Sequence, residues 1–148
     1  MIDRRALRWN GWGFTHAGFP LGDREPAVWR WIADALGRTS LPRRPAVPLE
    51  EIAVPPPALG EAELDELRGM VGPAHVKTDD YERAFHARGK SYLDLVALRA
   101  GDLGHVPDAV VYPGTDEEVQ ALVSFCDREG IAVVPYGGGS SVVGGVTA

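Results

Sequence analysis

The residues Pro107-Asp108-Ala109-Val110-Val111-Tyr112-Pro113, and the stretch from Gly114 to Val134 that follows them, decide how this chain is read. Two prolines bound the short β-rich run 109–112, which predicts a buried strand. Thr115 with Glu118 makes a capping box, and Val119, Leu122, Val123 and Cys126 then recur on one helical face. Gly130 is placed to stop that helix. Residues 131–134, Ile-Ala-Val-Val, are continuously apolar, as a strand covered on both faces tends to be. Strand, capped helix and strand in this order predict a βαβ unit with two adjacent parallel strands and a right-handed crossover. The fold class is therefore α/β (α+β overall), with a helical N-terminal region ahead of this unit.

Directly after the second strand stands Pro135-Tyr136-Gly137-Gly138-Gly139-Ser140-Ser141-Val142-Val143-Gly144-Gly145. Three glycines in a row remove every Cβ from the turn, so backbone can approach a ligand closely. Successive amide N–H groups facing one concavity form an anion nest, and Ser140 and Ser141 add hydroxyls beside it. A diphosphate is the natural guest. A P-loop is excluded, because Gly144 is followed by Gly145 and Val146 and not by Lys and Ser/Thr. The dinucleotide fingerprint also fails, since Val142 occupies the place of its third glycine. On these letters alone a turn that serves only chain reversal stays open.

Outward from that segment the chain is ordinary in composition. Its 148 residues, 45% hydrophobic and 24% charged, suit one globular domain with a real core. The formal net charge of −6 argues against a nucleic-acid surface. No apolar run approaches the roughly 20 residues of a membrane helix, and no signal-peptide segment follows the first residues. The single cysteine fits a reducing, cytoplasmic setting. Residues 1–22 carry Trp9, Trp12, Phe14 and Phe19 among glycines, which reads as a clamp against the protein's own body, or else as an oligomer contact of a homodimer. A helix is expected over 26–37, with Val28, Trp31, Ile32, Ala35 and Leu36 on one face. The prolines of 41–57 exclude regular structure there. A helix over 61–70 turns Leu64 and Leu67 inward, and Asp79-Asp80 begin another that runs to Arg88. Periodicity does not settle residues 91–98.

From Pro107 onward the order of strand, helix, strand and glycine loop resembles the opening of an FAD-binding domain of the vanillyl-alcohol-oxidase or PCMH type. The resemblance implies FAD, with its diphosphate wrapped by the loop's amides, and Pro135, Tyr136, Gly137, Gly138, Gly139, Ser140 and Ser141 as cofactor-binding residues. Covalent members of that family use a histidine in this loop. Here Ser140 stands in that place, so the FAD is expected to be held non-covalently at this loop. Arg8-Trp9-Asn10-Gly11-Trp12-Gly13-Phe14 is similar to the N-terminal signature of alkyldihydroxyacetonephosphate (alkylglycerone-phosphate) synthases. Tyr81, Arg83, Gly89, Lys90, Ser91 and Asp94 lie in a stretch that resembles the region preceding the flavin domain there. What this implies is an ether-lipid type exchange of acyl for alkyl on dihydroxyacetone phosphate, with a lipid-phosphate substrate. The alternative enzyme is an FAD-linked 2-hydroxyacid (D-lactate type) dehydrogenase, which the Trp9-Asn10-Gly11-Trp12 stretch disfavours. From another class comes a non-catalytic module that binds no flavin.

Proteins of that family are several times longer. The chain is thus expected to be their N-terminal part, with residues 1–106 preceding an incomplete flavin domain at 107–148. Catalytic residues are expected after residue 148, none within the chain, and the chain alone is expected to be inactive. His16, His75, His86 and His105 have no ligand spacing, so no metal is expected. Cys126, on an apolar helix face, reads as a structural thiol.

Overall fold

The computed structural model describes residues 4–18 and 20–148, so Phe19 and the first three residues lie outside the described residues. The chain divides into two compact units, Met1–Ala46 and Val47–Ala148.

In the first unit, Leu7 and Phe14 form an isolated antiparallel bridge closed by Gly13, whose φ of 75° suits glycine. The Arg8 side chain ties this turn together by donating to the carbonyls of Phe14 (3.1 Å) and Ala17 (2.6 Å). Helix α1 (Glu25–Ala35) has Pro26 in its first turn. It ends at Gly37 (φ 63°), where Arg38 N–H reaches Ala33 C=O and Gly37 N–H reaches Asp34 C=O. That is the paired-carbonyl stop a left-handed glycine provides. The expected inward face is corrected: only Ala33 is buried, whereas Trp31 is 70% exposed and Leu36 is also exposed. Amphipathic spacing sets which residues share a stripe, but a second element must cover it.

The second unit holds the core. Helix α2 (Glu61–Val71) turns Leu64 and Leu67 inward, as expected, and buries Val71 as well. Helix α3 (Asp80–Phe85) begins on Asp79, whose side chain accepts from the Glu82 amide, but stops short of Arg88. Residues 86–90 leave helical geometry to meet the glycine loop described below. Helix α4 (Tyr92–Arg99) occupies the segment that periodicity left unsettled. A reciprocal capping box starts it, Ser91 Oγ accepting from Asp94 N–H and the Asp94 carboxylate accepting from Ser91 N–H. Helix α5 (Asp116–Glu129) starts on Thr115, whose side chain accepts from Glu118 N–H. Glu118 reaches back one residue further than a capping box requires, to Gly114 N–H at 2.6 Å. The helix stops at left-handed Gly130, with Ile131 N–H bonded to Cys126 C=O.

The parallel βαβ pairing is not what forms. Strand β2 (Val110–Val111) pairs antiparallel with β1 (Val76–Lys77), Val76 opposite Val111 and Lys77 opposite Val110. Tyr112 N–H extends the pairing to His75 C=O at 2.9 Å. Residues 131–134 follow α5 without entering a strand, because among the described residues no backbone group pairs with 132–134. An apolar run becomes a strand only when a neighbour takes its N–H and C=O groups. The α5 face is corrected too. Phe125 and Cys126 are buried and Leu122 packs beside them, whereas Val119 and Val123 are exposed. One core joins Leu64, Leu67, Val71, Val76, Phe125 and Cys126, so residues 107–130 share their interior with α2 and β1. The free Cys126 thiol is pushed up from its ordinary pKa by this burial.

Candidate functional site at the glycine loop

Residues 83–90 are the most deeply buried stretch of the chain. Arg83, Ala84, Phe85, His86, Ala87 and Lys90 are all buried. Arg83, 1% exposed, donates from Nε to the Pro107 carbonyl at 2.8 Å and so ties α3 to the start of the flavin-like segment. His86 Nδ1 lies 2.7 Å from the Glu82 carbonyl, and the Tyr112 hydroxyl donates to the Glu82 carboxylate at 2.7 Å. These contacts fix the end of α3 against β2.

The glycine loop lies on this platform. Tyr136 turns inward, its ring 4.4 Å from that of His86 and its hydroxyl donating to the Phe85 carbonyl at 3.1 Å. Lys90 N–H donates to the Ser141 carbonyl at 2.7 Å, and Ala148 N–H to the Ala87 carbonyl at 3.2 Å. Gly89 makes the close approach possible, since a Cβ there would stand 2.5 Å from the Ser141 carbonyl oxygen. Gly139 is buried at φ 67°, where a Cβ would overlap the Tyr136 ring. The Ser141 hydroxyl accepts from Gly145 N–H at 3.2 Å and holds the end of the loop.

Above the platform the loop is bare. A Cβ on Gly137 or Gly138 would meet nothing within 4 Å, and both residues are exposed with Ser140 beside them. Among the described residues, no protein group accepts a hydrogen bond from the amides of Gly137, Gly138, Gly139 or Ser140. Unpaired donors beside Cβ-free backbone match the needs of an anion whose oxygens must come within hydrogen-bond distance. A diphosphate-bearing cofactor fits this donor set.

The seven expected site residues thus stay together but divide in role. Gly137, Gly138 and Ser140 face outward, whereas Tyr136, Gly139 and Ser141 anchor the loop. Pro135 is exposed at its entry. The platform residues His86, Gly89 and Lys90 are the part that periodicity and motif spacing do not reveal. For Gly89 and Lys90 the signal is their place in the stretch that resembles the region preceding the flavin domain of the synthases; His86 has none. Among the described residues, no group of three or more His, Cys, Asp or Glu converges as a metal site, and no helix is long and apolar enough to cross a membrane.

Residues 107–148 match the FAD binding domain family. Over 95% of its length the chain is 32% identical to the alkyldihydroxyacetonephosphate synthase of Dictyostelium discoideum, and 29% identical to that of Trypanosoma brucei brucei. It spans 26% of each, about a quarter of their length. A solved alkyldihydroxyacetonephosphate synthase structure superposes on 99% of the chain with a TM-score of 0.82 at 30% identity, the chain covering 31% of that protein. FAD is accordingly the cofactor of the domain family that residues 107–148 match. Residues 107–148 thus belong to the FAD binding domain family, and along nearly its whole length the chain is similar to alkyldihydroxyacetonephosphate synthases, of which it spans about a quarter.

Proposed function

We propose that this chain supplies the FAD diphosphate loop of an alkyldihydroxyacetonephosphate synthase-like enzyme. The observation that carries the reading is the row of amides at 137–140 without a protein acceptor, set against the open faces of Gly137 and Gly138. FAD, when bound, supplies the chemistry of the exchange of acyl for alkyl on dihydroxyacetone phosphate. The chain's own contribution is to hold the diphosphate. Gly137, Gly138 and Ser140 offer donors, Pro135 and Tyr136 set the entry, and Gly139 and Ser141 fix the loop's seat. Serine at 140 makes that hold non-covalent. The substrate class is a lipid phosphate, met by residues outside this chain, and Cys126, a buried free thiol, fits a cytoplasmic setting. Similarity to the synthases extends through the residues before 107, where the aromatic signature lies, and this favours the synthase over a 2-hydroxyacid dehydrogenase.

The test is the intact protein that carries this chain. A bound-flavin absorbance band together with acyl-for-alcohol exchange on acyl-dihydroxyacetone phosphate is the expected outcome. A colourless protein, or a flavoprotein that oxidises D-2-hydroxyacids and performs no exchange, overturns the proposal.

A further inference from the structure

The four tryptophans of the chain, Trp9, Trp12, Trp29 and Trp31, all fall within residues 1–46. So do eight of its 15 basic residues, every one an arginine, against only four acidic residues. The first unit thus carries a formal charge of +4 in a chain whose total is −6, which leaves −10 for residues 47–148. Charge divided so unevenly between two parts of a chain marks one of them for a charged partner.

Helix α1 narrows the chemistry of that partner. Its apolar residues run from Trp31 through Val28, Ile32 and Leu36 to Trp29, an arc of about 160° around the helix axis. A surface helix ordinarily buries such an arc against its own protein. Here Trp31 is 70%, Leu36 62% and Trp29 43% exposed. Arginines accompany them. Arg24, Arg30, Arg38 and Arg44 are exposed, and among the described residues none of the four forms an ion pair, whereas Arg43 reaches Glu25 at 3.6 Å. Between α1 and residues 39–43 runs a groove of about 420 Å³, where Arg30, Asp34 and Arg43 stand beside Trp29 and leave the lining net cationic. The bridged turn at Leu7 and Phe14 adds Trp12, 54% exposed, to the same unit.

Few partners suit aromatic, aliphatic and guanidinium groups exposed together. Nucleic acid would answer the arginines but leave Trp31 and Leu36 in water. An anionic bilayer surface answers both needs. Indole rings settle between headgroups and acyl chains, and guanidinium groups bind lipid phosphates through paired N–H donors. We propose that the first unit docks on anionic phospholipid membranes. Helix α1 lies in the headgroup layer and inserts Trp29, Trp31 and Leu36, while Arg24, Arg30, Arg38 and Arg44 meet lipid phosphates. The first unit alone carries this surface, so its fate is separate from that of the glycine loop.

In the experiment the 148-residue chain is mixed with phosphatidylcholine vesicles, with and without phosphatidylglycerol. Co-sedimentation reads the binding, and tryptophan emission reports on the first unit alone. Binding is expected only where phosphatidylglycerol is present, with emission shifted to the blue and reversal by salt. Trp31→Ser with Leu36→Ser should weaken it by about tenfold or more. Arg30→Gln with Arg38→Gln should weaken it about thirtyfold. All four side chains are exposed, so both variants should keep the wild-type circular dichroism and Tm. Tyr92→Ser with Leu93→Ser, exposed on α4 in the second unit, should bind like the wild type. No binding, equal binding to both kinds of vesicle, or an α4 variant as impaired as the α1 variants overturns the proposal. Tighter binding to a DNA duplex than to the anionic vesicles does so too. The intact protein that carries this chain should bind the same vesicles. Failure there would show that its other residues cover α1, and would equally overturn the docking surface.

Discussion

A side chain grown on Gly138 would extend into open space, whereas one on Gly139 would meet the Tyr136 ring and would also require a left-handed φ. Replacing Gly138 with valine should therefore leave the fold in place and act on the cofactor alone, by keeping its oxygens away from the bare backbone. In the intact enzyme, Gly138→Val is expected to weaken FAD binding by about tenfold or more, since several loop amides lose reach together. Ser141→Ala removes one hydroxyl, which accepts from Gly145 N–H, and should cost about 1 kcal/mol net. Flavin titration of both variants decides the matter, and equal affinities would mean that the loop does not touch the diphosphate. Lys90 adds a pH signature. Its pKa is about 8 in the folded chain against 10.5 for the ordinary side chain, with Asp94 on α4 facing it and Arg88 sharing that carboxylate. Between these values the unfolded state binds more protons, so stability should rise as pH climbs from about 8 to 10.5 and level off above. Below pH 8 the cost of the buried charge is fully present. Lys90→Met should flatten this rise and be more stable at pH 7, by on the order of 1–3 kcal/mol. Denaturant midpoints across pH 7–11 read it directly, and parallel profiles for the two proteins would contradict it.

Helix α5 shows how an element is specified from both of its ends but not around its girth. Thr115 and Gly130 act within one turn of themselves, which is why the start and stop agree with the letters. Which side faces inward depends on where α2 and β1 lie, and the stripe accordingly rotates towards Phe125 and Cys126. This rotation is testable. Phe125→Ala should cost about 3–5 kcal/mol, the scale of a large buried truncation. Val123→Ala, at a residue 53% exposed, should fall within about 0.5 kcal/mol of wild type. Urea midpoints of the two variants separate the observed face from the one that spacing alone suggested. Comparable losses would place Val123 back in the core. A similar limit applies to β2. Its β-rich letters mark an extended run, but the choice of β1 as partner is made by the fold, which brings Val76 alongside Val111.

At the level of the whole chain, the proposed role of the loop is to offer donors to one part of FAD only. Adenine, the ribityl chain and the isoalloxazine ring need other contacts, and ordering a flexible dinucleotide carries a cost that one anion nest does not offset. The 148-residue chain by itself is therefore expected to bind FAD weakly or not at all, and to lack synthase and dehydrogenase activity. Isothermal titration with FAD measures this, and tight stoichiometric binding would show that these residues form a complete site. Val133, Val134, Val142 and Val143 are all exposed, and residues 132–134 have no backbone partner among the described residues. Exposed apolar backbone of this kind favours association. Sedimentation at increasing concentration should show self-association, and a strictly monomeric chain at high concentration would argue that this surface is benign.

What the amino-acid sequence determined by itself is local in origin. The helix starts at Thr115 and Asp79, the glycine stops at Gly37 and Gly130, the absence of α-helix or strand along the proline-rich 41–57, where only a single 3-10 turn forms at Leu49–Glu51, and the character of the 137–141 loop all come from interactions spanning a few residues. Only the tertiary structure decided the rest. It paired 110–111 with 76–77 and left 131–134 outside any strand, because strand pairing needs a distant neighbour that no periodicity names. It exposed Trp31 and buried Phe125, because burial is a property of what packs opposite. It also seated the glycine loop on His86, Gly89 and Lys90, a contact made through backbone carbonyls and one missing Cβ. Main-chain contacts of that kind leave almost no trace in side-chain patterning, so the platform became legible only once the chain had folded around it.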